Sequence, residues 1–347
     1  MKGKRVVSLV AAGCDILQAL GCTHLLVGHD HVPCDAGDVG DLEVCTESTT
    51  GEVRSRIECE EAKLAMEALL WEAEFCRAGT AATLVEWALA PHRVILPKLK
   101  ELKPDIIITQ HQTCKVVSSA CVEEAVEAFM GCKVDIIRLD LRRVNGIWEG
   151  ISMMMQKAGL RDGSLLRASH DRICTVQDMC RGRTKRRVVY VQWDTSSYLC
   201  QGSMGVGTWV WDAIEIVGGI NLLLEGGSGF NLNGSEVKPN AHFMDLDSIL
   251  LMSPDVLILT NPMWGLKELY DKLVLHKQWL KRIHSSLPSL HSVAVHGPSF
   301  LSRFSPSLLE NSIEALCEIL HPECQPFGHQ GSLWTTTSTI LDNVFLT

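Results

Sequence analysis

The chain has 347 residues, 46% hydrophobic and 21% charged, which fits two domains with their own cores better than one. Its net charge of −9, from 32 Lys and Arg against 41 Asp and Glu, argues against nucleic acid as a partner. No apolar run reaches the roughly 18 residues of a membrane span.

The first strand is expected at 5–10 (Arg5 to Val10), followed by a loop at 11–15 and a helix that runs to Leu20 and stops at Gly21. Leu25-Leu26-Val27 reads as a second strand, ending at Gly28-His29-Asp30-His31. The spacing of Ala62, Ala65, Met66, Leu69, Leu70 and Ala73 predicts a helix over 59–75. Another helix is predicted over 93–102, interrupted near its start by Pro97. A strand at 105–109 leads to the polar turn 110–114, a helix over about 119–130 and a strand at 134–139. Strands alternating with helices imply parallel βαβ units.

From Val144 to about Gln177 only helical spacing occurs, marked by Ile147, Ile151, Met154 and Met155 and punctuated by Gly159 and Gly163. This segment reads as a long helical connector. The basic run 181–187 reads as a solvated helix end, where cations suit the helix dipole. A strand at 187–193, a helix at about 208–217 closed by Gly218-Gly219, and a Gly- and Asn-rich loop from Glu225 follow. A helix from Asp245, a strand at 255–260, a strand at 293–295 and a helix at about 306–320 complete the chain.

The chain repeats itself. Leu102-Lys103-Pro104-Asp105 opens an apolar run that ends at Thr109; Met252-Ser253-Pro254-Asp255 opens one that ends at Thr260. Arg5-Val6-Val7 is likewise echoed by Arg187-Val188-Val189. Two lobes of similar build follow: residues 1–141, a connector at 142–185, and residues 186–347. The expected class is α/β, with two Rossmann-like lobes of parallel sheet, a long rigid helix joining them, and a ligand cleft between them. The start, Met1 to Arg5, lacks the apolar segment and cleavage site of a secretory signal. Fourteen cysteines without a C-x-x-C pair read as reduced, buried thiols. The expected location is therefore the cytoplasm.

The order of these pieces resembles the cobalamin and iron-siderophore type of substrate-binding protein that serves ABC importers. The likeness is carried by Arg5 to Gly21, by Leu26 to His31, by the "L-x-P-D" strand from Leu102 to Gln110, by Trp211 to Gly219, and by the block from Gln278 to Glu323. It departs at the loops: 11–15 lacks the family's usual Pro-Ser-Ala-Thr-Glu, and His296-Gly297-Pro298-Ser299-Phe300 differs from its last loop. The resemblance implies reversible binding of a corrinoid, or of another metal chelate such as a heme, with an importer as partner.

In open parallel sheets, ligands gather outside the carboxyl ends of the strands. That rule selects Cys14, Asp15, His29, His31, Gln110, His111, Trp193, Tyr198, Trp209, Trp264 and Phe300 as ligand-binding candidates. Aromatic faces suit a flat chelate. His29, His31 and His111 end adjacent strands and are also candidates for direct metal contact. A core role for Trp209 and hydrogen bonding in loops for the histidines are the competing readings. No G-x-G-x-x-G after a strand, phosphate loop or Gly-x-Ser-x-Gly elbow is present, so no enzyme class is indicated. Two alternatives stay open: a metal-dependent enzyme, or bare-ion binder, using those histidines, and an interaction protein without a ligand.

Overall fold

The computed structural model describes residues 4–31, 41–48, 92–110, 134–141, 143–160, 163–193, 200–202, 209–222, 229–230, 236–237, 243–244, 246–261, 264–302, 304–324 and 326–338. The helices expected at 59–75 and 119–130 and the turn at 111–114 lie outside these residues. Two compact units emerge. Unit 1 comprises Met1–Asp140 with Ile147–Arg161, and unit 2 comprises Leu141–Gly146 with Asp162–Thr347.

Unit 1 holds β1 (Val6–Ser8), β2 (Leu26–His29), β3 (Glu43–Val44), β4 (Thr46–Ser48), β5 (His92–Val94), β6 (Ile106–Gln110) and β7 (Asp135–Leu139). Five of these form one parallel sheet in the order β3-β2-β1-β6-β7, while β4 and β5 pair antiparallel beside it. Its helices are α1 (Ala11–Ala19), α2 (Leu96–Leu102) and most of α3 (Val144–Ala158). Val6, Val7, Ile106, Ile107 and Ile108 are all buried, as the central strands of a sheet covered on both faces must be. The α3 face read from the sequence, Ile147, Ile151, Met154 and Met155, is buried too.

Unit 2 holds β8 (Arg186–Trp193), β9 (Cys200–Gly202), β10 (Gly219–Asn221), β11 (Gly229–Phe230), β12 (Glu236–Val237), β13 (Phe243–Met244), β14 (Val256–Thr260), β15 (His291–Val295) and β16 (Trp334–Thr336). Its seven-stranded sheet runs β13-β9-β8-β14-β15-β16, with β10 also on β8. The centre (β10, β8, β14, β15) is parallel, and β9, β13 and β16 are antiparallel additions. Val189, Val191, Trp193, Leu257, Leu259 and Ala294 share one sheet face with Ile249 of α6 (Leu246–Met252), Leu269 and Leu273 of α7 (Leu266–Leu275), and Trp279, Leu280 and Ile283 of α8 (Lys277–Ser286). The remaining helices are α4 (Ser164–Cys180), α5 (Trp209–Ile216) and α9 (Pro306–Leu320), which pack as α4 on α9 and α9 on α5.

The segment 142–185, expected as one long connector, is instead two helices. Gly159, at φ 77°, ends α3 in a left-handed turn that favours glycine. α4 then buries Ser169, Ile173, Val176 and Cys180 within unit 2. β10, α7, α8 and β16 are elements that the sequence patterns did not single out.

The repeated motif is a repeated structure. In unit 1 Lys103 caps α2 at φ 47°; in unit 2 Ser253 follows α6 at the same φ. The Asp105 carboxylate accepts the backbone N–H of Arg5, and the Asp255 carboxylate that of Arg187, each at 2.7 Å. The Asp105 N–H returns to the Arg5 carbonyl, and the Asp255 N–H to the Arg187 carbonyl, both at 2.8 Å. The two arginines also donate to the preceding helix end, Arg5 to the Leu102 carbonyl and Arg187 to those of Met252 and Ser253. In each unit this lock ties the amino ends of the two central strands, β1 with β6 and β8 with β14.

Candidate functional site

In both units the chain leaves the central strand in one direction and returns on its other side, so the strand order switches between β1 and β6 and between β8 and β14. The carboxyl ends of these strands are where an open α/β sheet receives ligands.

In unit 1 the described residues place a polar cluster at the end of β2. His29 is half-buried and its Nδ1–H donates to the Asp30 carbonyl oxygen at 2.6 Å. That bond orients the ring and leaves Nε2 with no partner among the described residues. Asp30 is buried, and its carboxylate accepts from the hydroxyl of buried Thr46, the first residue of β4. His31 closes the cluster: its backbone N–H donates to Thr46 Oγ1 at 2.9 Å, and its Nδ1 lies 2.7 Å from Thr46 Oγ1 and 3.0 Å from Asp30 Oδ1. Two residues beyond His29 the chain is thus anchored to the neighbouring strand. Next to it, burial pushes the Cys45 thiol up to about 11, so it stays protonated and unreactive.

In unit 2 three strand ends are laced together. Asn261, directly after β14, donates from Nδ2 to the Trp193 carbonyl at the end of β8, at 3.0 Å. The Gly297 N–H, after β15, donates to the Trp264 carbonyl at 3.2 Å. The backbones approach so closely that a Cβ at Gly297 would lie 1.5 Å from the Asn261 carbonyl oxygen. His296 Nδ1 accepts the Ser299 N–H at 3.3 Å and lies 2.8 Å from the Ser299 hydroxyl. Trp264 is half-buried, edge-on to Trp193 with ring centres 6.0 Å apart, and the Lys272 ammonium lies 4.5 Å from its ring centre. A cation over an aromatic face is an electrostatic attraction that also fixes the ring's orientation.

Several expected contact residues are core. Cys14 and Asp15 do not sit in a loop: only Leu9 and Val10 separate β1 from α1, so both are helical and buried, at 1% and 3% exposure. α1 lies so tight on the sheet that a Cβ at Gly13 would meet Ser8 Oγ at 2.2 Å. Trp193 ends a strand, but strand alternation puts it on the same face as Val189 and Val191, packed against Trp279 and His276. Trp209 and Phe300 stack on one another with centres 6.3 Å apart, and Phe304 meets Trp209 edge-on. Helix packing, not a loop, decides their position, because 298–302 forms a helical turn and Trp209 opens α5. Gln110 is the last residue of β6; His111 and Tyr198 lie outside the described residues. His29, His31 and Trp264 remain at strand ends. Asp30 and Thr46 join the cluster at the strand ends of unit 1, and Asn261 and Lys272 join the strand ends of unit 2. Of these, Asp30 and Asn261 had a sequence signal, as polar residues directly after a strand. Among the described residues, no group of three His, Cys, Asp or Glu side chains is arranged to hold a metal ion.

No protein-family profile and no curated protein sequence matches the chain. Solved structures do. The periplasmic heme-binding protein of Vibrio cholerae is 15% identical over 92% of this chain and 99% of that one, with a TM-score of 0.58. The periplasmic vitamin B12 binding protein of the same organism is 13% identical over 93% and 99%, with a TM-score of 0.56. An ABC transporter substrate-binding protein from Listeria monocytogenes EGD-e is 12% identical over 92% and 100%, with a TM-score of 0.57. Across more than nine-tenths of its length, the chain shares its fold with substrate-binding proteins of ABC transporters.

Proposed function

We propose that this protein binds a metal-chelate ligand of the corrinoid or heme kind at the carboxyl ends of its sheet strands. The observation that carries the reading is the fold likeness, which covers at least 92% of the chain in both the heme-binding and the vitamin B12-binding protein. His29 is the residue proposed to meet the metal. A ligating imidazole commonly donates its other N–H to a carbonyl, which orients the ring and raises its basicity, and His29 is held in that way by Asp30. Neutral imidazole suits both iron and cobalt. The bonds from His31 to Thr46 and Asp30 steady the turn that carries His29. In unit 1, Gln110 and His111 are proposed as further contacts; in unit 2, Trp264, held by Lys272, and Tyr198 are the residues proposed to offer contacts to a flat ligand. An importer is the partner this reading implies.

Visible absorption tests it. Heme or a corrinoid added to the protein should give a saturable spectral change at one ligand per chain, and His29→Ala should weaken it. An unchanged spectrum with both ligands would sink the reading.

A further inference from the structure

In unit 2, α4 and α9 pack side by side, and their contacts advance in step. Ser169 and Arg172 meet Glu310 and Glu314, and further on Cys180 meets Cys317. The two helices therefore run parallel and end together. At that end the Cys180 and Cys317 sulfurs are 3.4 Å apart, joining positions 137 residues apart in sequence. A third thiol, Cys324, interacts with Cys317 from the segment that follows α9. Arg183 lies beside the thiols and pairs with Glu323.

We propose that Cys180 and Cys317 are an oxidisable dithiol that closes into a disulfide linking α4 to α9, a modification site separate from the ligand site. The geometry favours this pair among the described cysteines. Cys22 and Cys45 donate to the backbone carbonyls of Leu20 and Glu43 at 3.2 and 3.5 Å. Cys180 closes the last turn of its helix, where opening is easiest, so a small oxidant reaches it first. The hydrogen bond from Cys317 holds the Cys180 thiol below its ordinary range, and the Arg183 charge acts in the same direction.

With a peroxide as oxidant the chemistry balances. The Cys180 thiolate attacks one oxygen of hydrogen peroxide, the O–O bond breaks, and the departing hydroxide takes up the thiol proton as water. The Cys317 sulfur then attacks the resulting sulfenic sulfur. The S–O bond breaks, a second water leaves with the Cys317 proton, and the S–S bond forms. Two sulfurs are each oxidised by one electron, and the two peroxide oxygens are reduced.

The test treats the whole folded protein with equimolar hydrogen peroxide, alkylates remaining thiols in denaturant, and maps peptides without reductant. The expected result is a Cys180–Cys317 linked peptide lighter by two hydrogens and reversed by dithiothreitol, with Cys22 and Cys45 still alkylated. The oxidised protein should also melt at a higher temperature. In Cys317→Ser the link should vanish and a dimedone adduct should appear on Cys180. If that variant does not fold, the wild-type map decides alone. Cys180 and Cys317 both alkylated, Cys180 over-oxidised without a link, or a link through Cys324 instead would each overturn the assignment.

Discussion

Replacing Gly297 with Ala should damage unit 2 far more than the same change at Gly265, although both glycines lie just beyond the carboxyl ends of neighbouring strands, β15 and β14. A Cβ at Gly297 would lie 1.5 Å from the Asn261 carbonyl oxygen and 2.5 Å from its carbon, whereas real Cβ atoms stay beyond 3.0 Å. The obstacle is backbone, so the Asn261 carbonyl would have to recede by about 1.5 Å. That movement breaks the Asn261 bond to Trp193 and the Gly297 bond to Trp264. At about 1 kcal/mol per bond, plus about 1–3 kcal/mol of overpacking strain, the cost is about 3–5 kcal/mol. At Gly265 a Cβ would meet only the His296 ring at 3.6 Å, an ordinary contact, and the cost should stay below about 1 kcal/mol. Urea unfolding followed by tryptophan fluorescence reports mainly on unit 2, which holds six of the nine tryptophans. Equal midpoints for the two variants would refute the close-approach argument.

Lys103→Gly and Ser253→Gly should each stabilise by about 0.5–1 kcal/mol, because both residues hold φ 47°; a loss of stability in either would contradict the paired helix-end geometry. Trp209→Ala should cost about 3–5 kcal/mol by emptying a core site, while folded protein keeps its ligand affinity; a selective loss of affinity at full stability would return Trp209 to the ligand site. Acid should destabilise in two stages. Burial holds His284 below the ordinary 6.5, and burial, with the nearby Arg186 and His284 charges, does the same for His291, so the unfolded chain takes up protons first and stability falls as pH drops below about 6.5. Burial would raise Glu318, but bonds from the Trp334 indole and the 327–329 backbone outweigh it and hold this carboxyl below its ordinary 4.5. Its contribution is present above about pH 4.5 and is lost as pH falls through the lower folded value; a urea midpoint flat from pH 7 to 5 would contradict the histidine assignment, and one that does not fall further below pH 4.5 would contradict that of Glu318.

Much of the fold was legible because it rests on local signals. The Pro-Asp openings at 104–105 and 254–255 announced two equivalent strands, and in the structure each Asp bonds the arginine that opens the other repeated strand of its own unit. Gly21 and Gly159 ended helices as glycine does at left-handed positions. β10 and β16 were not legible: three residues each give too short a period-2 pattern, and their pairing depends on distant partners. The site was less legible than the fold. Being at a strand end does not fix the direction of a side chain. Alternation sends Trp193 into the core, and the two-residue link after β1 draws Cys14 and Asp15 into a helix. The Asp30–Thr46 contact joins residues 16 apart, one directly after β2 and one at the start of β4, which no spacing rule reveals.

Ligand binding through His29 is the proposal on which the functional reading rests. The most direct measurement is a visible-absorption titration of heme and of cobinamide into wild type and His29→Ala, with melting temperatures alongside. A saturable band shift with at least one ligand is expected. Ligand at about 100 times its Kd should add about 2.7 kcal/mol of stability. Affinity in His29→Ala should fall about tenfold or more, about 1.4 kcal/mol. No shift and no stabilisation with either ligand, or equal affinity in the two proteins, would contradict it.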